Sequence, residues 1–133
     1  MRTRLFSLLF VAYLVAACTK IYPTAPTAPD PVPAPTPTPD VIEFRVFGSN
    51  LLTPVTIRHI DPVNGLTIVT SSPPYFATVQ TTAPEAFVYL EASGTGFSTA
   101  VLQVQIFANG KVFREGSSVG PVLFASASGT VHR

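Results

Sequence analysis

From Val41 onwards, apolar residues recur at every second position in short runs separated by Gly, Pro, Asn and Ser. That spacing leaves little besides an all-β fold. A period of two places alternate side chains on opposite faces of an extended chain, so one face can be buried while the other stays in water. Val41 to Phe47 shows it first, with Ile42, Phe44 and Val46 against Glu43 and Arg45. Val55-Thr56-Ile57-Arg58 repeats the pattern and ends at Asp61-Pro62. Asn64-Gly65 then predicts a two-residue turn, because both residues tolerate positive φ. Leu66 to Thr70 follows, so residues 54–70 are expected to form a hairpin. Pro73-Pro74 breaks the chain before Tyr75 to Thr81. Phe87 to Ala92 predicts a strand with Val88 and Leu90 inward and Phe87, Tyr89 and Glu91 on the other face. Gly94-Thr95-Gly96 is expected in a loop, ahead of the strongest strand, Ala100 to Ala108. Asn109-Gly110 turns that strand into Lys111 to Arg114, and Val122 to Ala127 closes the series. Seven or eight short strands with turn residues between them predict an antiparallel β-sandwich over residues 41–133. A closed barrel fits so short a domain less well.

The segment before this domain obeys a different constraint. Eight prolines fall between Pro23 and Pro39, interleaved with Thr, Ala, Val32 and Asp30. Proline lacks a backbone donor and pushes its predecessor out of the helical region, so neither a helix nor a central strand is available there. Extended polyproline II is the expected state, at about 3.1 Å per residue, giving the tract a reach of roughly 50 Å. Pro-x-x-Pro spacings such as Pro23/Pro26 also suit proline-binding grooves, but any proline-dense tract contains them. Residues 18–40 therefore read as a linker.

At the N-terminus, Arg2 and Arg4 precede an apolar run from Leu5 to Ala17, which closes with Val15-Ala16-Ala17-Cys18. Charge, apolar length and a small-residue stop are the layout of a secretory signal peptide. A permanent span needs about 20 apolar residues, and this run is shorter. The last four residues resemble the lipobox of bacterial lipoproteins. That resemblance implies cleavage after residue 17 and a diacylglyceryl group, with its fatty acyl (palmitate-type) chains, on the Cys18 sulfur. Thr19 rather than Asp after the cysteine resembles outer-membrane sorting in Gram-negative cells. The expected location is the cell envelope, with the membrane contacted through the N-terminal lipid.

Removing residues 1–17 leaves 116 residues, with six basic side chains against seven acidic. Nucleic-acid binding needs clustered Lys and Arg, and a polybasic lipid patch needs the same, so neither is expected. Cys18 is the only cysteine, so the domain has no disulfide to form.

The succession of blocks in the domain carries a further likeness. Phe44-Arg45-Val46-Phe47-Gly48 opens it, followed by the Thr- and Val-rich hairpin and Ser72-Pro73-Pro74-Tyr75. Val88-Tyr89-Leu90-Glu91-Ala92, Gln105-Ile106-Phe107-Ala108-Asn109-Gly110-Lys111 and Ala127-Ser128-Gly129 complete it. Over about residues 42–131 this resembles the periplasmic domain of the mycobacterial small membrane protein (MmpS) family. The resemblance implies an immunoglobulin-like β-sandwich and an accessory role beside an envelope transporter. Two features depart from that family. A lipobox and proline linker stand in place of a transmembrane helix, and the cysteine pair common in the last strands is absent. Val104 and Ala127 occupy roughly the matching positions.

Chemistry is sparse. His59 lies near Asp61, but zinc needs three or four ligands and only His132 adds a second imidazole, so the pair reads as hydrophilic residues near a hairpin end. The carboxylates show no local pairing of the glycosidase kind, and no Gly-x-Ser-x-Gly elbow occurs. Gly94-Thr95-Gly96 has no following helix to offer amides to phosphate. No metal, cofactor or catalytic residue is assigned, and the expectation is a non-enzymatic interaction or accessory module. The aromatic residues are the remaining signal. Tyr75, Phe76, Phe87, Tyr89, Phe97, Phe107 and Phe113 exceed what one inward face obviously needs. Phe87 and Tyr89, with Tyr75, are the candidate binding surface, suited to stacking on cell-wall glycan or docking a protein. Cover by a second sheet, an edge loop or Ile21-Tyr22 is the alternative.

Overall fold

The computed structural model describes residues 23–133. The expected signal peptide, Cys18, Thr19 and Ile21-Tyr22 lie outside the described residues. Pro23 to Ala34 has no regular secondary structure, and every residue is exposed. The unit Pro35–Arg133 is all-β, built from seven antiparallel strands. They are β1 (Asp40–Leu51), β2 (Val55–Asp61), β3 (Gly65–Ser71), β4 (Tyr75–Thr81), β5 (Glu85–Ala108), β6 (Lys111–Val119) and β7 (Val122–His132). Among the described residues no helix is long and apolar enough to cross a membrane.

The organising element is β5, 24 residues long. Its first half pairs with β2 and β7, and its second half with β1 and β6. Adding β3 beside β2 and β4 beside β1 gives two four-stranded layers, β3-β2-β5-β7 and β4-β1-β5-β6. The expected loop at Gly94-Thr95-Gly96 is therefore corrected: the triplet lies inside β5, at the corner where the strand leaves one layer for the other. The inward-outward alternation breaks over exposed Phe97, Ser98 and Thr99 and resumes at Ala100. Gly96 is needed there because a Cβ would meet both the Ala100 side chain and the Asn50 carbonyl. Asn50, at φ 56°, fastens β1 to the same corner through its amide, which donates to the Thr99 carbonyl at 3.3 Å.

Both layers turn one face inward. Ile42, Phe44 and Val46 of β1 meet Val55 and Ile57 of β2, Val88, Leu90, Leu102, Val104 and Ile106 of β5, and Leu123 and Ala125 of β7 in one core. Val104 and Ala127 are both buried in it. Along one side the layers converge, and β6 and β7 approach so closely that a Cβ on Gly116 would overlap the Ser126 carbonyl. The other side is bounded by β3, paired with β2, and β4, paired with β1.

The two hairpin turns differ. Asn109 and Gly110 take φ of 52° and 78° between paired Ala108 and Lys111, the two-residue turn the sequence predicts. The first hairpin departs from expectation. Asp61 pairs with Gly65, so Pro62-Val63-Asn64 forms a three-residue loop, and only Gly65 (φ 70°) takes the left-handed conformation. The reason is the Asp61 carboxylate. Its Oδ1 accepts the Val63 and Asn64 amides at 2.9 and 2.7 Å, holding the longer loop in a side-chain-capped turn.

Candidate functional site

Period two in β5 turns Phe87, Tyr89 and Glu91 away from the core, onto the outer face of the β3-β2-β5-β7 layer. Strand register then sets their neighbours. Tyr89 lies across from Ile60, which lies across from Leu66; Glu91 lies across from Arg58, which lies across from Ile68. Phe87, Leu66 and Ile68 remain 52%, 55% and 56% exposed, so nothing in the described residues covers this band. Tyr89 is held in place, its hydroxyl donating to Glu91 Oε2 at 2.5 Å. That hydrogen bond, followed by partial burial, raises the phenol above its ordinary pKa of 10.0. Arg58 stands 4.0 Å from the same carboxylate. The result is an apolar and aromatic platform with a fixed phenol, a carboxylate and a guanidinium, suited to stacking and hydrogen bonding.

Tyr75 belongs to a different place. It starts β4, and its side chain packs against the core rather than beside Phe87 and Tyr89. Its hydroxyl lies 3.2 Å from Nε2 of His59, which is buried and stacks on Phe44 at 4.8 Å. His59 Nδ1 is 3.7 Å from Asp61 Oδ2, too long for a hydrogen bond, and is left without a partner. Burial lowers the imidazole pKa below its ordinary 6.5 against the opposing pull of Asp61, and burial raises the Tyr75 phenol. His59 is a hydrophilic residue near a hairpin end, as the sequence reads, but its imidazole is buried against Phe44 and Tyr75, while Asp61, also buried, turns its carboxylate to the amides of the hairpin loop. The signal was in the chain, since Val55, Ile57, His59 and Asp61 share one parity, but residue type outweighed position. His132 is far along the chain at the end of β7, 3.4 Å from Glu85 on the surface, and no group of three metal-ligating side chains gathers among the described residues.

The outer face of the β4-β1-β5-β6 layer carries a second cluster that sequence reasoning did not assemble. Phe47 and Phe76 meet edge to face at 5.8 Å, and the Arg45 guanidinium covers the Phe107 ring at 3.9 Å while bonding Glu43. These residues come from three strands, and only the register of β1 against β4 and β5 brings them together. A shallow polar cleft of about 320 Å³ lies nearby, between Gly48–Pro54 and Ser72-Pro73. It contains no charged side chain. Compared with known proteins, the chain matches no protein-family model and no curated protein sequence.

Proposed function

We propose that this chain is a lipid-anchored, non-enzymatic envelope protein whose β-sandwich is an interaction or accessory module held out on a proline-rich linker. The observation that carries the reading is the uncovered band of Phe87, Leu66 and Ile68 on one outer sheet face. A patch of this kind, rimmed by Arg58 and Glu91, suits contact with another macromolecule. The lipobox at Val15–Cys18 supplies the anchor and an envelope address, in the outer membrane where the cell has one. The likeness to transporter accessory domains makes an envelope transporter the first partner to test. In-cell crosslinking of the tagged protein should recover such a transporter or its adaptor from membranes, and Phe87→Ala should reduce the yield. Recovery of no protein partner would sink the accessory role. Separately, Cys18→Ser should abolish fatty-acid labelling, and labelling that persists would remove the anchor assignment.

A second reading, glycan recognition, is favoured by one arrangement: Phe87 and Tyr89 stand two residues apart on one strand, with the Tyr89 hydroxyl fixed by Glu91. Sugar rings stack on aromatic faces and their hydroxyls bond to such groups. Tyr89→Ala should then weaken retention on cell-wall polysaccharide without lowering the melting temperature. Equal retention of the variant would exclude it.

A further inference from the structure

We propose that β3 is a pairing edge, at which two copies of this chain join antiparallel about a two-fold axis into one continuous eight-stranded sheet. This goes beyond the interaction role above and stands without it. Edge strands expose unpaired amides and carbonyls, and soluble proteins commonly guard them with charge, proline or a bulge. Gly65-Leu66-Thr67-Ile68-Val69-Thr70-Ser71 has none of these guards. All seven residues are uncharged, the ladder to β2 runs without a register shift, and no other backbone partner is recorded for β3 among the described residues.

The occupant follows from charge and composition. In a two-fold pairing centred on Ile68, Ile68 faces its own copy, Leu66 faces Thr70, and Thr67 faces Val69. Each of these pairs is uncharged and rich in β-branched residues, which pack well across strands. The nearest like charges are the two Arg58 side chains, one strand back on each copy. Three strand spacings separate them, about 14 Å, which exceeds the Debye length of about 8 Å at physiological salt. Each Arg58 also has Glu91 beside it. The other strands with a single backbone neighbour are less open: β6 and β7 lie against each other at Gly116 and Ser126, and β4, uncharged too, has its exposed Phe76 engaged with Phe47. Leu66 and Ile68 have no such aromatic partner. A dimer through β3 would run the apolar band of one copy into that of the other.

The test uses the full-length chain extracted from membranes in detergent, with oligomeric state read by sedimentation. The wild type should be dimeric, and Ile68→Lys should be monomeric with the melting temperature that the wild type approaches on dilution, since the side chain is exposed within each copy. In native membranes under mild oxidation, Ile68→Cys should give a disulfide-linked dimer, while Thr78→Cys on β4 and the wild type with Cys18 alone should not. A wild type that stays monomeric at every soluble concentration overturns the proposal. So does a dimer that survives Ile68→Lys or crosslinks through Thr78→Cys, which would move pairing to β4. Crosslinking of Ile68→Cys to a different protein and never to itself also overturns it, in favour of a foreign strand.

Discussion

His59 shows how one side chain can tie stability to pH. It is buried on the inner face of β2, with Asp61 and Tyr75 as its titratable neighbours among the described residues. Its folded pKa lies below the ordinary 6.5, so the unfolded chain binds the extra proton first as pH falls. Stability is therefore fully present above about pH 6.5 and is lost as pH drops from there toward the folded pKa. Melting temperature followed from pH 8 to pH 5 should fall, and His59→Leu should flatten that slope while lowering the plateau through loss of the Tyr75 contact. A slope unchanged in the variant would assign the pH dependence elsewhere. At Gly116 the constraint is steric. Any Cβ would overlap the Ser126 carbonyl, so Gly116→Ala must separate β6 from β7. A loss of about 1–3 kcal/mol in denaturant unfolding is expected, as for other overpacked sites.

Among the elements, the two hairpins depend on different chemistry. The second turn uses Asn109, which takes positive φ, accepts the Val41 amide at 2.9 Å through Oδ1 and donates to Asp40 at 2.8 Å through Nδ2. It thus closes β5 onto β6 and pins the start of β1 at once. Asn109→Ala should cost about 1–2 kcal/mol, from the strained φ and the lost hydrogen bonds together. Asn109→Gly, which keeps the φ, should recover part of that loss. In the first hairpin, Asp61→Ala leaves the Val63 and Asn64 amides without their acceptor, at an expected cost of about 1–3 kcal/mol. Amide exchange confined to β2 and β3 should quicken in that variant and not in the Asn109 variants.

For the molecule as a whole, β5 makes the two layers one cooperative unit. Leu90 in its first half and Leu102 in its second are both fully buried and contribute to the same core. Leu90→Ala and Leu102→Ala should each lower stability by about 2–5 kcal/mol. In each case far- and near-ultraviolet dichroism should give a single coincident transition, because neither layer can unfold while keeping β5. Two separated transitions would show that the layers unfold independently. How much of this was legible beforehand differs by feature. Alternation around Phe44, Val88 and Leu102 sets the buried face of each strand, since a period of two admits only one inward set. The strand continuity through Gly94-Thr95-Gly96 was not legible, because glycines mark turns and sheet corners alike. Nor was the separation of Tyr75 from Phe87 and Tyr89, since alternation assigns a residue to a face of its own strand without saying which face of the sandwich that becomes.

The division between chain and fold follows from the range of the interactions. Sequence alone determined what local sterics decide: extended strands from alternation, the Asn109-Gly110 turn from tolerance of positive φ, and the absence of regular secondary structure from Pro23 to Pro39. Tertiary structure decided what requires residues far apart in the chain to meet. It made β5 a member of both layers, buried His59 against Phe44 and Tyr75, and set Phe87 on the same outer layer face as exposed Leu66 and Ile68, two strands away. These depend on strand register and on which layers face each other, both set by the summed burial of the whole core and by no single segment.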